Sequence, residues 1–372
     1  MWTAGGGSPL IDALRSLSAC LAAACALSAS AGCAGAAARP AAEAPAAQRQ
    51  WASSLGRNDP LVGRVWDVKG GRFVEESAME AALARADFVL LGETHDNPDH
   101  HVLQAGIVRS LAATGRSPAL AFEMLQTDQQ VAVDRALVGS SPDPDALAAA
   151  VDWKHSVWPD FAIYRPLFAE GIASGLPILA ADLPSGSVRR YPSTGPLAFP
   201  VPVRGVLDRA ARLSPAAERA VRDEMARVHC GLLPATMLGP LVDLRRAHDA
   251  SLAWRLLTAD HDFAPPGNEQ GAILVAGLSH VRRDRGVPRF LDGEAPTRSV
   301  VTVGFLEVSG AARAPEAYAD AFGAASLPFD YVVFTPATAR ENPCEEIRKG
   351  PPPPAKESTL ARASVAVGSP PP

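Results

Sequence analysis

Lysine is nearly absent from this chain of 372 residues: of 35 basic residues four are Lys, at positions 69, 154, 349 and 356, and the rest are Arg. Long blocks of one charge are missing too, with a formal charge of −5 and 20% charged residues overall. Without a basic arm or stripe the chain has no electrostatic footprint for nucleic acid, and no nucleic-acid partner is expected. Aromatic residues make up 6%, and only four are Tyr, at 164, 191, 318 and 331. The five Cys form no Cys-x-x-Cys pair, which excludes a cysteine zinc ribbon and covalent c-type haem attachment. No internal repeat is visible. What remains is apolar, at 47%, and long enough to bury one large core or two small ones.

The first 33 residues read as a bacterial export segment. Arg15 is followed by a weakly apolar run from Leu17 to Ala31 and then by Gly32-Cys33. The run is short of the roughly 20 residues that span a membrane comfortably. Ser30-Ala31-Gly32-Cys33 resembles a lipobox, with Ser30 where Leu is usual, so Cys33 is expected to carry a lipid anchor. Leu17-Ser18-Ala19-Cys20 fits the consensus better but has little apolar run before it. An Ala/Pro/Glu tether follows over 34–52, and residues 348–372, with Pro351–Pro354 and Pro370–Pro372, read as disordered. The folded unit is therefore expected over 53–347, in the cell envelope. After signal removal two Cys remain, Cys230 and Cys344. In an oxidising compartment they can pair, and two separate thiols are the alternative.

Within the folded unit, short apolar runs alternate with helix-period segments. The runs are Phe88–Leu91, Ala119–Phe122, Pro177–Ala181, Ala272–Ala276, Val300–Val308 and Tyr331–Phe334, after a hairpin around Gly70-Gly71. Helices are expected over Pro98–Ala113, Asp128–Val138 and Tyr164–Ser174, from Ser214-Pro215 onward, and over Leu241–Thr258. Runs apolar throughout are buried on both faces, and their alternation with helices predicts an α/β fold. The expected architecture is a mainly parallel central sheet flanked by helices, with residues 185–270 as a mostly helical insertion, a lid or subdomain.

Parallel strands deliver their last residues to one sheet edge, where ligands bind. Four of these runs end in an acid or lead to a His: Gly92-Glu93-Thr94-His95, Glu123, Asp182 and Gly277-Leu278-Ser279-His280. Glu93, His95, Glu123, Asp182 and His280 are expected to converge. Two imidazoles with carboxylates suit a divalent metal, with Glu93, His95, Glu123 and His280 as its ligands, or general acid–base catalysis by the same four. Each Gly before a His triplet would permit a tight turn. Asn97 and Pro98 open a helix whose first turn holds His100 and His101, at an end that attracts anions. Arg282, Arg283 and Arg285 are expected at the mouth of the site, where their forks would take carboxylates or phosphates. Trp153, His155, Trp158 and Tyr164-Arg165-Pro166 cluster in an aromatic-poor chain and could floor a flat apolar ligand.

Several stretches match a known pattern: Leu90-Leu91-Gly92-Glu93-Thr94-His95-Asp96-Asn97, Phe122-Glu123-Met124 with Gln129-Gln130, Tyr164-Arg165-Pro166, Ala276-Gly277 with His280-Val281-Arg282-Arg283-Asp284 and Gly286-Val287-Pro288, then Asp330–Thr335 and Pro343-Cys344-Glu345. Together they resemble the ChaN-like haem-binding lipoproteins, in a wider group with Tiki and TraB-type proteins and erythromycin esterase-like hydrolases. The resemblance implies a lipid-anchored envelope protein that binds haem in iron acquisition, at a dimer interface and through a tyrosine. Tyr164 is the expected iron ligand, with Arg165, His95, His100, His280 and Arg283 around the haem and its propionates. The wider group implies the alternative, a metal-dependent hydrolase using Glu93, His95, Glu123 and His280.

Overall fold

The structure, a computed structural model, describes residues 49–345 apart from 140, 264–269, 311, 313, 342 and 343. Cys33, most of the tether and the Pro-rich tail lie outside the described residues. The strands are β1 (Val65–Asp67), β2 (Arg72–Val74), β3 (Phe88–Glu93), β4 (Ala119–Gln126), β5 (Ile178–Asp182), β6 (Ala272–Gly277), β7 (Val300–Glu307) and β8 (Tyr331–Thr335). The helices are α1 (Glu76–Leu83), α2 (Pro98–Ala113), α3 (Gln130–Ala136), α4 (Pro144–Ala150), α5 (Phe161–Ala173), α6 (Ser185–Thr194), α7 (Val201–Arg209), α8 (Pro215–Val228), α9 (Ala235–Phe263) and α10 (Pro288–Glu294). The eight strands form one sheet in the order β2-β1-β8-β7-β3-β6-β4-β5. All neighbours from β8 to β5 run parallel, and the β1–β2 hairpin adds an antiparallel edge against β8. The mainly parallel α/β architecture read from the sequence is the one found.

Strand alternation divides the core in two. Phe88, Leu90, Ala119, Ala121, Leu274 and Ala276 face one layer, with Ala247, Ala250, Leu252 and Leu256 of α9. Val89, Leu91, Leu120, Phe122, Ile273 and Val275 face the other, with Leu103, Ile107 and Val108 of α2 and Tyr164, Leu167 and Phe168 of α5. Successive strand residues point to opposite faces, so an all-apolar strand is what a sheet covered on both sides requires. Helix starts follow their caps: Asn97 accepts from the Asp99 amide at 3.0 Å, and Ser214 accepts from Ala217 at 3.2 Å, each with Pro at the first helical position.

Two expectations change. The 185–270 segment is mostly helical, but α9 is no lid: it lies in the layer that covers β4, β5 and β6, completing the crossover that parallel strands need. Neither Gly92 nor Gly277 has a left-handed φ. A Cβ at Gly92 would stand 2.2 Å from Val281 Cγ2, so this glycine serves close approach and not a turn. Cys230 and Cys344 are joined in a disulfide across a sequence separation of 114 residues. It ties the end of α8 to the chain beyond β8, and chain entropy assigns such a loop on the order of 4–5 kcal/mol.

Candidate functional site at the strand ends

The sheet brings Glu93, His95, Glu123 and His280 together. β6 lies between β3 and β4, with Glu93 opposite Gly277. Glu123 follows Phe122 in β4 and so faces the opposite, α9 side of the sheet, at the stretch where the β4–β5 register shifts. There its Oε2 accepts the Gly277 N–H at 2.6 Å, and its Oε1 lies 3.2 Å from His280 Nε2. A Cβ at Gly277 would stand 2.9 Å from His95 Nε2 and 3.6 Å from Glu123 Oε2. The glycine is what leaves room for both side chains.

Two linked networks result. In the first, Glu93, 2% exposed, accepts from the Tyr164 hydroxyl at 2.6 Å and from His95 Nδ1 at 3.0 Å, both on Oε1. Its Oε2 lies 3.1 Å from His101 Nδ1, but that ring nitrogen is directed at Gln104 Oε1, 3.2 Å away. Oε2 therefore receives the imidazole's charge without a linear hydrogen bond. In the second, His280 sits between Glu123 and Asp249, with Nδ1 2.7 Å from Asp249 Oδ1. Arg245 reaches the other Asp249 oxygen at 3.2 Å and also holds the Ser279 hydroxyl and carbonyl. Alongside, Asp182 pairs with His248 Nδ1 at 2.5 Å.

Burial sets the electrostatics. It would raise both carboxylates, but His101 and His95 hold Glu93 well below the usual range, and His280 and His95 do the same for Glu123. Burial and Arg245 press His280 down. Glu123 and Asp249 outweigh them and lift it to about 9, as expected of an imidazolium donating from both nitrogens. His95 and His101 are raised likewise, Glu93 opposing the effect of burial. His100 goes the other way: burial, then the neighbouring His101, pushes it down to about 3. It is neutral, accepting from the Thr94 N–H at 3.0 Å and donating through Nε2 to Thr335 at 2.9 Å.

Several expected roles are corrected by these positions. Tyr164 is 0% exposed, and burial together with the Glu93 carboxylate pushes its hydroxyl far above the ordinary phenol range. A phenolate there would be a second buried anion against Glu93, so Tyr164 is a donor inside the core and not a ligand facing a haem. His100 and His101 are both fully buried, and the helix end is closed by Asn97, leaving no anion site open to solvent. Arg283 binds Asp330 at 2.7 Å and the carbonyl of Val300, the first residue of β7, which places it at the opposite edge of the sheet. Arg282 is paired with Asp284 at 2.7 Å and Arg285 with Glu224 at 2.8 Å, so neither is a free fork at a mouth. Arg165 is half-exposed and pairs with Asp145 at 2.9 Å.

Among the described residues no three His, Cys, Asp or Glu side chains stand as a metal-holding group. Most donors of the four expected metal ligands are already engaged: the Glu93 Oε1, the Glu123 oxygens and both His280 nitrogens have protein partners. The donor set as arranged does not fit a metal centre. Cavities of about 430 and 460 Å³ lie elsewhere, among α6 to α9, both lined by Phe199 and Arg204 and neither by a residue of the two networks. Toward solvent the cluster ends at His95, whose side chain is 33% exposed and meets the Trp158 ring edge-on at 4.9 Å. Asp249, Arg245 and His248 went unnoticed in the sequence, although a carboxylate within the Ala-rich stretch 247–253 of a helix was a visible sign of a buried charge needing a partner.

The titrations fix a pH profile for stability. His280 lies at about 9 in the fold against an ordinary 6.5, so its contribution is complete below 6.5 and is lost as pH rises through 9. His100, at about 3 in the fold, costs stability as pH falls below 6.5, and Glu123, ordinarily 4.5, adds to that loss below 4.5. Urea midpoints should therefore be highest near pH 6.5. His280→Gln should remove roughly 3 kcal/mol or a little more of the alkaline limb; a limb as steep as in the parent protein would show that His280 is not the imidazolium. Tyr164→Phe should cost roughly 2–3 kcal/mol in the same assay, the worth of a buried hydrogen bond to a carboxylate, and should leave any haem spectrum unaltered.

A model of the family described as haem-binding uptake, Tiki superfamily, ChaN matches residues 79–291. No curated protein matches the chain. Among solved structures, one described as cofacial heme binding to ChaN of Campylobacter jejuni is 21% identical, with a TM-score of 0.54, over 72% of this chain and 95% of that one. The type III effector HopBA1 follows at 14% identity and a TM-score of 0.40, over 70% and 92% of the two chains. The erythromycin esterase EreC is 12% identical, at a TM-score of 0.34, over 79% and 99%. The ChaN likeness is one of fold, and the family match spans more than half of this chain and includes β3, β4, β5 and β6 with their terminal acids and histidines. The chain belongs to the ChaN haem-binding uptake family of the Tiki superfamily.

Proposed function

We propose that the protein binds haem at the cell envelope as a lipid-anchored lipoprotein serving iron acquisition. Family membership supports haem as the ligand. The observation that carries the reading is the surface beside His95. Trp158 covers the half-open imidazole, and Val157 next to it is 92% exposed on the same loop. An aliphatic side chain that open, beside an aromatic ring, offers an apolar edge against which a porphyrin would lie. The strand-end networks then act as a rigid charged floor that holds His95 and the loop in place. The 430 and 460 Å³ cavities lie away from this face, so the macrocycle is held on a surface, and a second copy of the chain closes over it as a homodimer.

Titrating haemin into the purified protein should give a saturable Soret shift, with sedimentation moving toward twice the monomer mass as it saturates; a spectrum equal to free haemin at all ratios would remove haem as the ligand. The anchor reading rests on Gly32-Cys33 after the apolar run. Cys33→Ser should move the protein from the detergent phase to the aqueous phase. Unchanged partitioning, abolished instead by Cys20→Ser, would assign the anchor to the other cysteine.

A further inference from the structure

We infer that the cavity of about 460 Å³ among α7, α8 and α9 binds an amphipathic phosphate, with a phosphomonoester head on Arg204, Arg212 and Arg246 and an apolar body against Phe199, Leu207 and Leu213. The site is separate from the haem-binding reading and does not rest on it. The three arginines come from three places: Arg204 from α7, Arg246 from α9 and Arg212 from the link between α7 and α8. Among the described residues none of the three has a carboxylate within ion-pair distance, whereas Arg209 of α7 and Arg245 of α9 are both paired. Arg204 goes further: its Nε is buried and has no hydrogen-bond partner. A buried guanidinium donor left unmet is costly, so it marks a place where an acceptor from outside the chain would be stabilised. The acids that line the same cavity are engaged or open to water. Glu218 lies 3.0 Å from Arg222, Asp243 accepts from the Tyr191 hydroxyl at 2.8 Å, and Asp208 is exposed.

The field at Arg246 is positive beyond the cavity wall. Burial lowers its pKa, and the like charges of Arg289 and Arg212 lower it further against Asp249 and Asp243. Arg289 and Arg285 also line a small recess that Arg246 shares. Clustered cations of this kind concentrate anions. The number of guanidiniums selects phosphate over carboxylate. A phosphomonoester carries about −1.5 to −2 charge at pH 7 and three acceptor oxygens, one for each fork. A carboxylate has two oxygens and one charge and would leave one arginine unanswered. Beside the arginines the wall is apolar: Phe199 is stacked on Tyr191 at 5.1 Å, and Leu207 and Leu213 are half-buried. That wall suits an aryl ring or a short acyl chain. Two sources share this chemistry, a soluble aryl or alkyl phosphate and the head of a phosphatidic-acid-type lipid.

Calorimetric titration of the full chain compares inorganic phosphate, phenyl phosphate and dihexanoylphosphatidic acid, the last below its aggregation concentration. Phenyl phosphate should bind saturably and about tenfold tighter than inorganic phosphate, because only it covers the apolar wall. Arg246→Gln should weaken phenyl phosphate at least about tenfold. Arg212→Gln, at an exposed loop position where folding is not at stake, should weaken it several-fold. Leu213→Ala should narrow the preference for phenyl over inorganic phosphate while leaving inorganic phosphate unchanged. Whichever of phenyl phosphate and the phosphatidic acid binds tighter assigns the source as soluble or lipid. The site is overturned if neither binds, or if both arginine variants bind phenyl phosphate as the parent does. Displacement of phenyl phosphate by haemin would also overturn it, since the arginines would then belong to the haem's own surface; haem binding without displacement leaves both readings standing.

Discussion

Two carboxylates are buried side by side at the end of a parallel sheet, and much of the structure answers to that. Glu93 and Glu123 belong to strands separated only by β6, in a region closed to bulk water. An ionised carboxylate in such a place costs several kcal/mol unless it is paired and hydrogen-bonded. The chain meets the cost with groups from far apart in sequence: His101 from α2, Tyr164 from α5, the Gly277 amide from β6, and His280, itself held by Asp249 from α9. Removing one partner would strand a charge; replacing both members of a pair by apolar residues could be nearly neutral. The networks thus constrain how β3, β4, β6, α2, α5 and α9 stand to one another more than they add net stability.

That constraint explains why haem binding and hydrolysis are both easy to imagine on such a site. Imidazoles and carboxylates at a strand edge are the vocabulary of acid–base chemistry. Here they are largely spent on one another, with His280 clamped from both sides and Tyr164 donating inward. The half-open member is His95, and what lies over it is an aromatic ring. A floor of fixed charge under an apolar rim suits holding a flat ligand in one orientation.

The sheet was legible because strands buried on both faces read as unbroken apolar runs, and the convergence of their ends followed from parallel topology alone. The errors arose where exposure had to be guessed. Tyr164, Leu167, Phe168 and Gly171 recur at helical spacing and form the buried stripe of α5, a pattern that already pointed Tyr164 inward. Arg283 follows His280 by three residues, yet the chain between β6 and β7 must travel from one end of the sheet to the other, and Arg283 is already at the far end. The burial of Asp249 was visible but its partner was hidden, because nothing local says which turn of a 29-residue helix meets a strand end.

The strand order carries a consequence for how the molecule comes into being. β3 and β4 are close in sequence but never touch; β6, more than a hundred residues later, is wedged between them and hydrogen-bonded to both. Until residue 277 is available Glu123 lacks its backbone donor, and the strands bearing the two acids have a gap where a neighbour belongs. A chain emerging from its amino end thus carries both acids through about 150 further residues without being able to join them. The piece that joins them also brings His280, so the counter-charge and the strand that demands it arrive in the same short segment.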